Sequence, residues 1–237
     1  MLKSIKQLHG KKLGASDGNI GHVKDFYFDD QSWAVRYVVA DTGSWLTGLQ
    51  VLISPHAFGS LHQEGGILSV HLTRNQIENS PSIESHVPVS RQYEEAHYQY
   101  YGWPSYWQGD GLWGMSGLPL LAPPSIPFLS EPNTASPAHS KRADVHLRCT
   151  QAVNGYHIKA SDGSAGRICD FMMDAKSWAI CKLVIKVGPL LSGREVEIPT
   201  SKVDRISYEE STVFVNMTMQ AVEQSPEHHL VSDSVAD

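Results

Sequence analysis

Apolar and polar side chains alternate imperfectly through "IGHVKDFYFD", where Ile20, Val23, Phe26 and Phe28 are the apolar positions. A period near two predicts a strand with one face in a core. The strand is bounded by the turn signals "SDG" and "DDQS": glycine tolerates positive φ and aspartate bonds its own downstream backbone. The run "WAVRYVVADT" is rich in β-branched and aromatic residues and predicts a second strand. A short strand, "LQVLIS", follows, and then a hairpin, "GSLHQEGGILSVHLT", that turns at Glu64-Gly65-Gly66. Thr73 is placed to cap a short helix that stops before Ser80-Pro81, as Thr218 is before Ser225-Pro226.

The whole pattern returns 145 positions later. Residues 10–81 align with 155–226 without a gap, and roughly a third of the pairs are identical. These include Asp17/Asp162, Gly18/Gly163, Gly21/Gly166, Asp25/Asp170, Phe26/Phe171, Asp29/Asp174 and Trp33/Trp178. Such self-similarity is a tandem duplication. An open sheet of about six short strands leaves two exposed edges, which closure removes. The expected fold is therefore all-β: two tandem small barrels, each with a short helix, over residues 1–82 and 144–226. Residues shared by the copies read as architectural: Asp17, Gly18, Gly21, Phe26 and Trp33 in the first, and Asp162, Gly163, Gly166, Phe171 and Trp178 in the second. Gly18 supplies a positive-φ turn, Gly21 a close backbone approach and Trp33 a large buried ring. Asp17 reads as turn chemistry, and Asp25 and Asp29 as exposed strand ends.

From Gly10 to Pro55 the run "G..(A/S)SDG..G.V.DF.FD...W.VRY.V.DTG.WL.G..V.I.P" resembles the PRC-barrel family. That family takes its name from the cytoplasmic domain of the photosynthetic reaction-centre H subunit, and a related barrel occurs in the bacterial ribosome-maturation factor. The second copy departs from the pattern: "IKVGPLLSGREVEIP" lacks a counterpart of Trp45. The resemblance implies a bacterial-type barrel that binds or organises other macromolecules, and it carries no catalytic motif.

Residues 83–117 are not repeated. Tyr93 to Trp113 holds five of the nine tyrosines and three of the six tryptophans. Ser90 is placed to cap a helix over residues 91–101, with Tyr93, His97, Tyr100 and Tyr101 on one face and Gly102 and Pro104 ending it. Two readings stand open: the rings glue the helix to a barrel, or some remain exposed to dock a protein partner or a second copy. The candidate partner-binding residues are Trp45, Tyr100, Tyr101, Trp103, Tyr106, Trp107 and Trp113. Residues 118–143 are rich in Pro, Ser and Ala and read as a linker. Residues 227–237, which contain His228-His229, read as a polar solvated tail.

Composition narrows the function classes. A net charge of -6 without a basic run disfavours direct nucleic-acid binding. No stretch approaches the apolar length of a spanning helix, so a soluble, cytoplasmic protein is expected, peripheral to a membrane complex only through a partner. Cys149, Cys169 and Cys181 form no CxxC pair and read as reduced thiols. The twelve histidines form no HExxH, and no nucleophile elbow, phosphate loop or dinucleotide fingerprint is present. The expectation is a non-catalytic binding or assembly module without cofactor or metal, with a protein partner and a possible homodimer. Two alternatives are a ribosome-associated maturation-type factor and a small-molecule or metal-dependent hydrolase using Asp17, Asp25 and histidines in a cleft between the barrels.

Overall fold

The computed structural model describes residues 1–43, 45–46, 49–58, 61, 63–64, 66–81, 89–119, 146–188 and 193–229. They form two compact units, one of residues 1–151 with 173–179 and one of residues 152–172 with 180–237. The predicted linker 118–143 falls almost wholly outside the described residues.

The first unit runs β1 (Leu2–Ser4), α1 (Ile5–Leu8), β2 (Lys12–Ala15), β3 (Gly18–Asp29), β4 (Val35–Asp41), β5 (Gln50–Ile53), β6 (Gln63–Glu64), β7 (Ile67–Ser69), α2 (Arg74–Glu78), α3 (Arg91–Tyr101) and β8 (Leu147–Cys149), with α4 (Thr150–Val153) beginning there. Its ladder follows the order β5-β4-β3-β2-β7-β6, with β8 also on β3. β2 and β7 are parallel. The long β3 shares one side between two strands: Leu13 of β2 pairs with Gly21, and Arg148 of β8 pairs with Phe28.

The imperfect alternation seen in the sequence has a geometric cause. The β3–β4 register shifts between Val23 and Asp25 and again between Tyr27 and Phe28. The first leaves Lys24 unpaired on β3 and turns the side chains after it to the other face, and the second leaves Arg36 unpaired on β4. Val23, Phe26 and Phe28 therefore all lie in the core beside Leu13, Ile20, Val35 and Leu68. Asp25 is also turned inward. It is 6% exposed, not an exposed strand end, and its Oδ1 accepts from the Thr150 hydroxyl at 2.6 Å and from the Phe26 and Gln151 N–H groups. The Cys149 thiol donates to the other carboxylate oxygen.

Gly21 has φ +121°, and a Cβ there would stand 1.9 Å from the Asp41 carbonyl oxygen. Glycine is required at this crossing by both space and conformation. Gly166 repeats the arrangement in the second unit, with φ +129° and the Lys186 carbonyl oxygen, the counterpart of Asp41, in the way of a Cβ. Gly18 has the predicted positive φ, 152°, but its counterpart Gly163 does not. What both positions share is proximity to the first side chain of the following helix: a Cβ would meet Arg74 Cδ at 3.3 Å or Met219 S at 2.3 Å. Asp17 also acts beyond its own turn, accepting the Arg74 N–H at 2.8 Å. Together with the Thr73–Gln76 capping box it satisfies the open end of α2.

Trp33 and Trp178 are repeated for a backbone reason that the sequence reading missed. Their φ angles are 59° and 58°, a left-handed conformation rare for a bulky residue. Asp29 Oδ1 gathers the Gln31 and Ser32 N–H groups, and the Trp33 N–H donates to the Asp29 carbonyl at 2.8 Å. Asp174 does the same for Lys176, Ser177 and Trp178. Within the first unit the Trp178 ring is fully buried, 5.1 Å from Phe58. Trp33 is only half-buried, stacked on Phe28, against the expectation of a buried ring.

The second unit contains β9 (His157–Ala160), most of β10 (Gly163–Asp174), β11 (Ile180–Val187), β12 (Arg194–Pro199), β13 (Val203–Ser207), β14 (Thr212–Val215) and α5 (Met219–Glu223). Its order, β12-β11-β10-β9-β14-β13, repeats that of the first. Ile158, Ile168, Leu183, Ile185, Val196 and Val213 fill its core. Phe171 is buried like Phe26, its counterpart, and its N–H donates to Asp170 Oδ1 at 2.7 Å as the Phe26 N–H does to Asp25. Asp170 is thereby buried as well, so neither copy keeps this aspartate at an exposed strand end. Thr218 caps α5 as predicted, and Asp162 accepts the Met219 N–H at 2.7 Å. Residues 226–228 are bonded to the edge of β12 through Glu197 N–H to Pro226 O and His228 N–H to Glu195 O. His228, read from sequence as part of a solvated tail, is buried, with Nδ1 2.8 Å from Glu197 Oε1.

The chain is thus β-rich, with two mixed sheets and short helices. The expected closure is not found: among the described residues each ladder is an open path, with β5 unpaired to β6 and β12 unpaired to β13.

Candidate functional site

α3 forms where the sequence predicts it. The Ser90 side chain accepts the Tyr93 N–H, and Gly102 closes the other end at φ 69°. Its inner face lies over β4 and β5, which is why β4 is buried on both faces whereas most strands show one exposed face. The segment beyond Gly102 folds back through short bridges between Gly111 and Gly114 and between Trp113 and Ser116.

The contact is polar at its centre. Glu94 is fully buried, and its Oε1 accepts from the Tyr37 hydroxyl at 3.0 Å and the Tyr106 hydroxyl at 2.7 Å. Arg91 Nη1 lies 3.1 Å from Oε2. Burial, reinforced by the neighbouring carboxylate, pushes the Tyr37 and Tyr106 hydroxyls far above their ordinary range, so both remain protonated donors. Arg36 is skipped by the β3–β4 register and turns toward the same segment. Its guanidinium donates to the Leu112 carbonyl at 2.6 Å and lies 3.8 Å from the centre of the Tyr106 ring. This is a cation–π contact in a desolvated place.

His97, also fully buried, has Nε2 3.0 Å from the Leu52 carbonyl oxygen. Burial lowers its pKa to about 4, outweighing the opposing effect of that hydrogen bond. It is a neutral imidazole donating from Nε2. His56 stands between the Trp103 and Trp113 rings, at 5.8 Å and 5.2 Å. The Trp113 indole N–H donates to the Ser177 carbonyl at 2.8 Å.

The candidate residues separate by exposure. Tyr101, Trp103, Tyr106 and Trp113 are buried, with their rings occupied inside the unit. Tyr100 is 42% exposed and anchors its hydroxyl on the Gln76 carbonyl. Trp107 is half-buried, with the Arg91 guanidinium 4.4 Å over its ring. Trp45 lies apart from this cluster, half-buried under Arg74 at 4.6 Å. Met115 is 97% exposed and Leu118 45% exposed, and the sequence reading did not single out either. Of the repeated residues, Asp162, Gly163, Gly166 and Phe171 belong to the second unit and so lie outside this first-unit cluster, whereas Trp178 belongs to the first unit despite its place in the second copy.

The sequence reading also missed Arg36, Tyr37 and Glu94. Positions where the copies differ hold the signal: Arg36 and Tyr37 align with Cys181 and Lys182, and only the first copy is followed by an aromatic helix. Asp17 and Asp25, considered for hydrolysis, are engaged in capping. Among the described residues no group of three or more His, Cys, Asp or Glu is arranged to hold a metal. No described helix is long and apolar enough to cross a membrane. Compared with known proteins, the chain matches no family model and no curated sequence.

Proposed function

We propose that the chain is a non-catalytic assembly module of two PRC-barrel-type repeats that docks a protein partner through its non-repeated aromatic segment. One observation carries the reading. Three of the six exposed large apolar side chains among the described residues, Tyr100, Met115 and Leu118, lie in the segment that Glu94 and Tyr106 hold against the sheet at Tyr37. An apolar surface held on a rigid support is the usual build of an interface, and a few aromatic or methionine side chains at its centre carry most of the affinity.

The test is the triple variant Tyr100→Ser, Met115→Asp, Leu118→Asp, compared with the unaltered chain in affinity capture, with near-ultraviolet circular dichroism as the fold control. Loss of a specific, saturable partner with the fold retained supports the reading. An unchanged partner set with the fold retained refutes it. Recovery of ribosomal proteins, with co-sedimentation of the chain, would identify the partner as ribosomal.

A further inference from the structure

We propose that the outer face of β2 and β7 in the first repeat is a binding site for a small aromatic carboxylate. A groove of about 640 Å³ lies there, lined by Lys12, Gly14, Asn19, Ile67, Ser69 and His71 among others. Lys12 pairs with Ile67 and Gly14 with Ser69 across the parallel ladder. Leu13 and Leu68 between them point into the core, so the groove belongs to the solvent side of the sheet.

The second repeat shows what such a place holds when it is filled. Lys159 stands in register with Phe214, at the positions of Gly14 and Ser69. The Arg205 guanidinium lies 3.6 Å over the Phe214 ring. In the first repeat a ring and an alkyl stem are replaced by a hydroxymethyl group and a hydrogen, and the hollow is open.

The basic groups have moved: the second repeat carries Lys159 and Arg205 here, where the first has Gly14 and Ser60. Lys12 and His71 line it where the second repeat has His157 and Asn216, and Arg74 replaces Met219. Arg74 borders the groove at Gly18, its guanidinium resting on Trp45 and its Nε without a hydrogen-bond partner among the described residues. Asp17, an acid beside it, accepts the Arg74 N–H. A flat ring fits the place that Phe214 fills in the sister repeat, and an attached carboxylate meets Lys12 and Arg74 in a chain whose net charge is otherwise -6.

The experiment is amide chemical-shift titration of the full chain with benzoate and, separately, with its neutral analogue benzamide. Benzoate is expected to shift the signals of Gly14, Ile67 and Ser69 and to bind roughly tenfold more tightly than benzamide. Lys12→Ala with Arg74→Ala should remove that preference. Gly14→Lys with Ser69→Phe, which copies residues the second repeat already accommodates, should abolish both titrations while the remaining spectrum is retained. No localised shift with benzoate, equal binding of the two probes, or binding that survives the filled groove would each overturn the proposal. These readouts require no protein partner, so they stand or fall separately from the docking segment.

Discussion

Replacing His97 by Gln tests the buried contact between α3 and the sheet through its pH dependence. His97 has Nε2 on the Leu52 carbonyl and Nδ1 without a hydrogen-bond partner among the described residues. Its pKa falls from 6.5 to about 4 because burial penalises the imidazolium. With the folded value below the unfolded one, the unfolded chain takes up the proton first. The stabilisation is then fully present above pH 6.5 and is lost as the pH falls through about 4. At about 1.4 kcal/mol per pH unit this gap amounts to about 3 kcal/mol, a large share of a domain's net stability. Gln at this position keeps an N–H for Leu52 and does not titrate. Urea unfolding followed by tryptophan fluorescence, repeated between about pH 7 and pH 4, should show the unaltered chain losing about 3 kcal/mol more than His97→Gln. Carboxylates elsewhere titrate in both proteins and cancel in the difference. Parallel stability curves, or an imidazole resonance titrating near the ordinary histidine value, would refute the reasoning.

Four further outcomes follow from the structure. Glu94→Ala leaves the Tyr37 and Tyr106 hydroxyls and Arg91 without their shared acceptor and should cost about 3 kcal/mol in chemical denaturation; a loss below about 1 kcal/mol would mean that water satisfies the site. Gly21→Ala drives a methyl group to 1.9 Å from the Asp41 carbonyl and should destabilise the first unit by more than about 3 kcal/mol. Gly10→Ala meets no atom within 4 Å and should cost only about 1 kcal/mol, from its positive φ. Thr73→Ala removes one half of the capping box and should lower stability by about 1 kcal/mol, read as faster amide exchange in α2.

Much of the local structure was legible in the chain. Alternation located β3 and a β-branched, aromatic run located β4, Thr73, Thr218 and Ser90 announced three helix starts, and the repeated pair Gly21 and Gly166 marked a close backbone approach in both units. These features depend on interactions within a few residues or on a missing Cβ, and both are written in residue identity. The duplication itself required only that the chain be compared with its own later half.

Long-range partnership was not legible. Asp25 read as an exposed strand end because nothing near it in sequence says that Thr150 and Gln151 will donate to it. His228 read as a solvated tail because its partners, Glu195 and Glu197, lie on a strand about thirty residues earlier. Arg36 became buried because a shifted register turns it toward the aromatic segment after α3, which the second repeat lacks. Sequence by itself determined the strands β3 and β4, the turns that bound them and the capped helices α2, α3 and α5, since those follow from short-range sterics and hydrogen bonding. Tertiary structure alone decided which of the aromatic rings face water, because exposure depends on what the rest of the chain places against each one.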